Sequence, residues 1–249
     1  MLEPERAPAD SVQPDPQAGR YVLHLHRSEE VWTWACAVAI AAELRRDLLN
    51  RPRARLLVAA DDALWPVYRA VAKAPLDWGR VDIALVDELW LQPDDPDSHA
   101  RRVRAHLLRD HAAVARFETL TQPGRRIEEA VAAANAHGLQ PASAAVIGMG
   151  RDGHVASMFP RMLDMARLLG SRDAYAAVDA SGCISARQWT RRITITPSGL
   201  SRARSRLLLV RGHECREALQ YAFASGKTES WPVLAALEGA TPLHVHWCA

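Results

Sequence analysis

Short apolar runs alternate with helical stretches along nearly the whole sequence, and several stop abruptly at acidic or glycine-rich exits. Tyr21-Val-Leu-His-Leu-His26 alternates like a strand, and residues 55–60, 81–86, 144–147 and 206–210 are apolar runs suited to buried strands. Helical periodicity fills the gaps at residues 28–49, 66–74, 98–110, 127–137 and 214–223. Ser28 stands ahead of two glutamates as an N-cap, and Pro66 opens a helix that Pro75 ends. Strands alternating with helices predict an α/β chain: a mainly parallel, Rossmann-like sheet with helices on both faces, in three α/β/α layers. Residues 21–249 are expected to form one domain behind a flexible, proline-rich lead-in over residues 1–20.

Composition narrows the partners. There are 31 basic and 29 acidic side chains, a net charge of +2; two of the basic residues are Lys73 and Lys227, so 29 are arginines. This balance lacks the clustered basic excess that phosphate-backbone binding needs, so neither nucleic acid nor a membrane surface is expected as a partner. The first residues lack a signal peptide's basic and apolar regions, and Cys36, Cys183, Cys215 and Cys248 show no metal-ligand spacing, which predicts a reduced, cytoplasmic setting. His244 and His246 share one strand face without a third ligand, so they read as structural and no metal is expected.

In parallel α/β sheets, ligands bind beyond the carboxyl ends of the strands. Three exits are therefore candidates: residues 59–66, 87–98 and 148–160. The last contains Gly148-Met-Gly-Arg-Asp-Gly153, formally a dinucleotide fingerprint, but His154 follows at once and Pro160 interrupts the helix such a fingerprint needs. The stronger reading is a glycine turn presenting Asp152 and His154, a carboxylate that can orient an imidazole able to take a proton near neutral pH. On its own the motif also admits a structural histidine bonded to backbone. Either Asp87-Glu88 contacts sugar hydroxyls or assists the base, or Asp87 caps the next element.

The stretch Ala145-Val-Ile-Gly-Met-Gly-Arg-Asp-Gly-His-Val-Ala-Ser-Met-Phe-Pro160 resembles the signature of the 6-phosphogluconolactonase family. Asp87-Glu88 with Pro93-Asp-Asp-Pro-Asp-Ser98, Arg192-Ile-Thr-Ile-Thr196, Val210-Arg-Gly212 and Trp231-Pro-Val233 match further segments in order. The resemblance implies hydrolysis of 6-phospho-D-glucono-1,5-lactone to 6-phosphogluconate without cofactor, by a monomer or homodimer acting on a small sugar lactone. It implies that His154 is the general base and Asp152 its orienting partner. Gly150, Arg151, Gly153, Asp87, Glu88, Arg187 and Arg192 are the implied substrate contacts, with turn amides between Gly150 and Gly153 steadying the oxyanion.

The sequence departs from this pattern where the family binds phosphate. Its Ser-Gly-Gly-Ser-Thr-Pro loop reads Asp61-Asp62-Ala63-Leu64-Trp65-Pro66 here, replacing flexible glycines by side chains and adding two acids that repel a phosphate. The arginine of Asp-Glu-Arg is Leu89, the asparagine after Ser98 is His99, and a later lysine is Cys215. Three readings follow: a 6-phosphogluconolactonase whose phosphate is held by arginines such as Arg151, Arg187 or Arg192; a lactonase for an unphosphorylated sugar lactone; or a non-catalytic binding relative. Trp65 is expected to fill the emptied phosphate pocket in preference to stacking on a sugar ring, and the paired arginines, Arg101-Arg102 among them, to be solvated, with Arg192 excepted.

Overall fold

The computed structural model describes residues 19–249, so most of the expected lead-in lies outside the described residues. Seven strands form one parallel sheet: β1 (Tyr21–His26), β2 (Ala54–Val58), β3 (Val81–Leu85), β5 (Arg116–Glu118), β6 (Ala144–Gly148), β9 (Ser205–Arg211) and β10 (Leu243–Cys248), in spatial order β1-β10-β9-β6-β2-β3-β5. A second, antiparallel sheet joins β4 (Asp87–Leu89), β8 (Arg191–Ile195) and β7 (Tyr175–Asp179), with Asp87 opposite Thr194. Among the described residues seven α-helices run α1 (Glu29–Asn50), α2 (Trp65–Val71), α3 (His99–His106), α4 (Ile127–Gly138), α5 (Met165–Leu169), α6 (Pro197–Ser201) and α7 (His213–Ser225).

Every residue of β2, β3 and β6 is buried, as expected of strands covered on both faces. Trp32, Ile40 and Leu44 of α1 join Leu56, Ile83 and Val146 in that core. The two tryptophans of α1 part as their spacing requires: Trp32 is buried and donates from Nε1 to the His246 carbonyl (3.0 Å), while Trp34 is 55% exposed. Pro66 sits in the first turn of α2, but this helix ends at Val71, and residues 72–74 close with turn bonds instead. Likewise α3 stops at His106, short of the expected Asp110.

The chain runs from β2 outward to β3 and β5, then returns to place β6 on the other side of β2. The carboxyl ends of β2 and β6 thus flank a topological switch point, where such sheets open a crevice. The small sheet brings Asp87 and Arg192 to the same end. Among the described residues no helix is long and apolar enough to cross a membrane.

Candidate active site

The loop after β6 is tied by its own backbone. Gly150 N donates to the His154 carbonyl (3.0 Å), Gly153 N to the Gly150 carbonyl (2.9 Å), and Val233 N to the Gly153 carbonyl (2.9 Å). Gly153 has a φ of +81°, and Trp231 packs where its Cβ would stand. A Cβ on Gly150 would lie 2.2 Å from the His154 ring, so glycine there is what lets the imidazole lie across the turn.

Asp152 Oδ1 lies 2.6 Å from His154 Nδ1 and also accepts from the His154 amide (3.1 Å). Its Oδ2 accepts from Ser185 Oγ (2.6 Å). Burial alone would raise the Asp152 pKa; the His154 and Ser185 hydrogen bonds and the histidine's charge hold it well below the usual carboxylate range. With Nδ1–H directed at Asp152, a neutral His154 carries its lone pair on Nε2, the arrangement a general base requires.

A second cluster forms beside it. Asp87 Oδ2 accepts from Ser157 Oγ (2.6 Å), and His99 Nδ1 lies 3.0 Å from the Asp87 carbonyl and 3.4 Å from its Oδ1. Burial opposes a charge on His99, but Asp87 and Glu88 outweigh it and push the imidazole up to about 9. In return, although burial works against the Asp87 carboxylate, His99 and Ser157 hold it below its ordinary value. The buried Arg192 guanidinium donates to the carbonyls of Trp189 and Ala186 (2.7 Å each) and lies over Phe159.

His154, Asp87, His99, Arg102, Arg187 and Arg192 all line one open cleft of about 410 Å³, with Asp61 and Asp62 on its β2 side. Asp61 accepts from Ala63 N (2.9 Å), and burial raises its pKa. Asp62 takes the Trp65 indole N–H (2.8 Å) and pairs with Arg102. No group of three or more histidine, cysteine or acidic side chains among the described residues is placed to hold a metal ion.

The family model described as glucosamine-6-phosphate isomerases/6-phosphogluconolactonase matches residues 27–247. The chain belongs to this family. A 6-phosphogluconolactonase of Xylella fastidiosa (strain 9a5c) is 41% identical over 221 residues, covering 87% of this chain and 92% of that protein. One of Pseudomonas aeruginosa is 34% identical, covering 85% and 88%. The crystal structure of a 6-phosphogluconolactonase from Shewanella baltica OS155 superposes with a TM-score of 0.85 at 27% identity, covering 92% of this chain and 98% of that one.

Several residues expected at the substrate lie elsewhere. Arg151 points outward and pairs with Glu214 (2.8 Å). Glu88 is buried and accepts from the amides of Leu89, His99 and Ala100 and from Ser98 Oγ, so of the Asp87-Glu88 pair it is Glu88 that caps α3. Trp65 is buried, enters α2 and stacks on His106 at 4.6 Å, and like Gly153, Ala63 and Leu64 it does not line the cleft. The amides of Gly150 and Gly153 are spent within the turn, which leaves only those of Arg151 and Asp152 among the turn amides for an oxyanion. Two residues that line the cleft are not among those the sequence points to. His99 stands where this family has asparagine, and Arg102 was grouped with solvated pairs; their spacing of three on a helix, one turn apart, was the available signal.

Proposed function

We propose that this chain is a 6-phosphogluconolactonase, hydrolysing 6-phospho-D-glucono-1,5-lactone to 6-phosphogluconate. The Asp152–His154 pair, with His154 opening into a cleft whose wall also carries Arg102, Arg187, Arg192 and His99, is the observation that carries this reading. His154 Nε2 takes a proton from water as its oxygen attacks the lactone carbonyl carbon, giving a tetrahedral oxyanion. The carbon–ring oxygen bond then breaks, and the ring oxygen takes the proton back from Nε2. The product is an open-chain acid that ionises in water. Asp152 fixes the ring and stabilises the imidazolium between the two transfers. Positive side chains in the cleft wall, Arg187 and Arg192 among them, stabilise the oxyanion.

Asp87 and Arg192 order the cleft wall around Ser157, and Arg187 and Arg192 add positive charge for an anionic substrate. We assign the reaction to the cytosol and to a monomer or homodimer, and the four unbridged cysteines support a reducing setting. Asp61 and Asp62 in the cleft favour one competing reading, an unphosphorylated sugar lactone. Hydrolysis rates for 6-phosphogluconolactone and gluconolactone, measured side by side, separate the two: the proposal requires a strong preference for the phosphorylated substrate.

A further inference from the structure

The glycine loop that binds phosphate in the family pattern is acidic here, yet the acids are not idle. Asp62 accepts from Trp65 Nε1 and pairs with Arg102, whose guanidinium lies 5.2 Å above the Trp65 ring. Asp62, in a glycine position of the family loop, and Trp65, in its threonine position, are therefore the residues that hold an arginine at the cleft. One turn earlier on α3, His99 is buried with Nδ1 fixed on Asp87. Its Nε2 has no hydrogen-bond partner among the described residues, and the residue faces the cleft. The first amides of α3 are taken by Glu88 (2.8 Å from both His99 N and Ala100 N), so the helix offers an anion its side chains and not its backbone.

We infer that the substrate phosphate is held from α3, by His99 Nε2–H and the Arg102 guanidinium, and not by the loop after β2. This rests on the 6-phosphogluconolactonase reading and names the residues that give it phosphate specificity. The fixed charge on His99 and the planar, many-donor head of Arg102 suit a phosphate dianion. Asp87 and Glu88 face His99, Arg192 acts on both of those acids, and Asp61, Asp62 and His106 lie near Arg102. Asp61, whose burial raises its pKa, more readily carries a proton when a dianion arrives.

Arg102→Leu, Arg102→Lys and His99→Asn, each checked for folding by circular dichroism, are to be assayed with 6-phosphogluconolactone and gluconolactone and for inhibition by inorganic phosphate. Arg102→Leu and His99→Asn should each raise KM for the phosphorylated lactone and lower the preference for it by about tenfold or more, with weaker phosphate inhibition. Lysine at 102 should restore part of the preference. Because Arg102 is half-exposed, its variant folds even if His99→Asn does not. Equal losses on both lactones, or an unchanged preference in Arg102→Leu, would overturn the inference while leaving the proposed reaction standing. A wild-type protein with no preference would remove both.

Discussion

His154 Nδ1 and Asp152 Oδ1 lie 2.6 Å apart on one glycine turn, and the other oxygen of Asp152 is held by Ser185 at the same distance. The carboxylate is thus fixed from both sides and ionised throughout the physiological range. Asp152→Asn keeps the shape but can present its N–H₂ to Nδ1, favouring the wrong tautomer. It should lower kcat by about 10²- to 10⁴-fold with KM little changed. A variant within a fewfold of wild type would mean that Asp152 does not orient the base.

Gly150 tests the same geometry without touching a titrating group. Gly150→Ala places a methyl 2.2 Å from the imidazole, which must swing away from Asp152. Because displacements near 1 Å cost about 10²-fold in rate, kcat should fall by roughly that factor while the far-ultraviolet dichroism stays unchanged. Full activity in this variant would show that His154 can work from another position.

Acid should loosen the β1–β10 edge. His24 and His244, and His26 and His246, bond nitrogen to nitrogen at 3.1 Å, and His24 stacks on His246 at 4.3 Å. Burial, then the neighbouring imidazoles, push His246 down to about 3. An unfolded chain titrates this histidine near 6.5, so it binds more protons than the folded one between about pH 6.5 and 3, and stability is lost as pH falls through that window. One such proton gives a slope of about 1.4 kcal/mol per pH unit. Urea midpoints should therefore fall from pH 7 to pH 5, and less steeply in His246→Leu; parallel curves for the two proteins would contradict this.

Arg206 is buried in β9 with Nε and Nη1 unpartnered, while Nη2 donates to the Thr241 carbonyl. Burial pulls its pKa below the ordinary arginine value. Arg206→Met removes a poorly compensated charge from the interior and should raise stability by about 1–3 kcal/mol, read as a higher Tm. A lower Tm would show that the guanidinium is better solvated or paired than its surroundings indicate.

The sheet was legible because β6 is apolar throughout and β2, β3 and β9 are apolar runs broken only by Arg55, by Asp82 and, in β9, near its ends, all joined by helical stretches. β4 and β5, at three residues each, are too short to carry a period, so the small antiparallel sheet was visible only through β8. Asp152 and His154 could be paired in advance because one turn holds both. His99 and Arg102 could not, since their places depend on Asp87 and Asp62, 12 and 40 positions away. Arg151 errs the other way: it is next to Asp152 in sequence, but the turn sends its side chain outward to Glu214.

The central claim is that His154 activates water against a phosphorylated lactone. Stopped-flow hydrolysis of 6-phosphogluconolactone by wild-type protein and His154→Ala tests it most directly, with spontaneous hydrolysis subtracted. The account predicts rapid turnover by the wild type and a loss of about 10²-fold or more in kcat in the variant, with the fold intact. Equal rates for the two proteins, or a wild-type rate no faster than spontaneous hydrolysis, would contradict it.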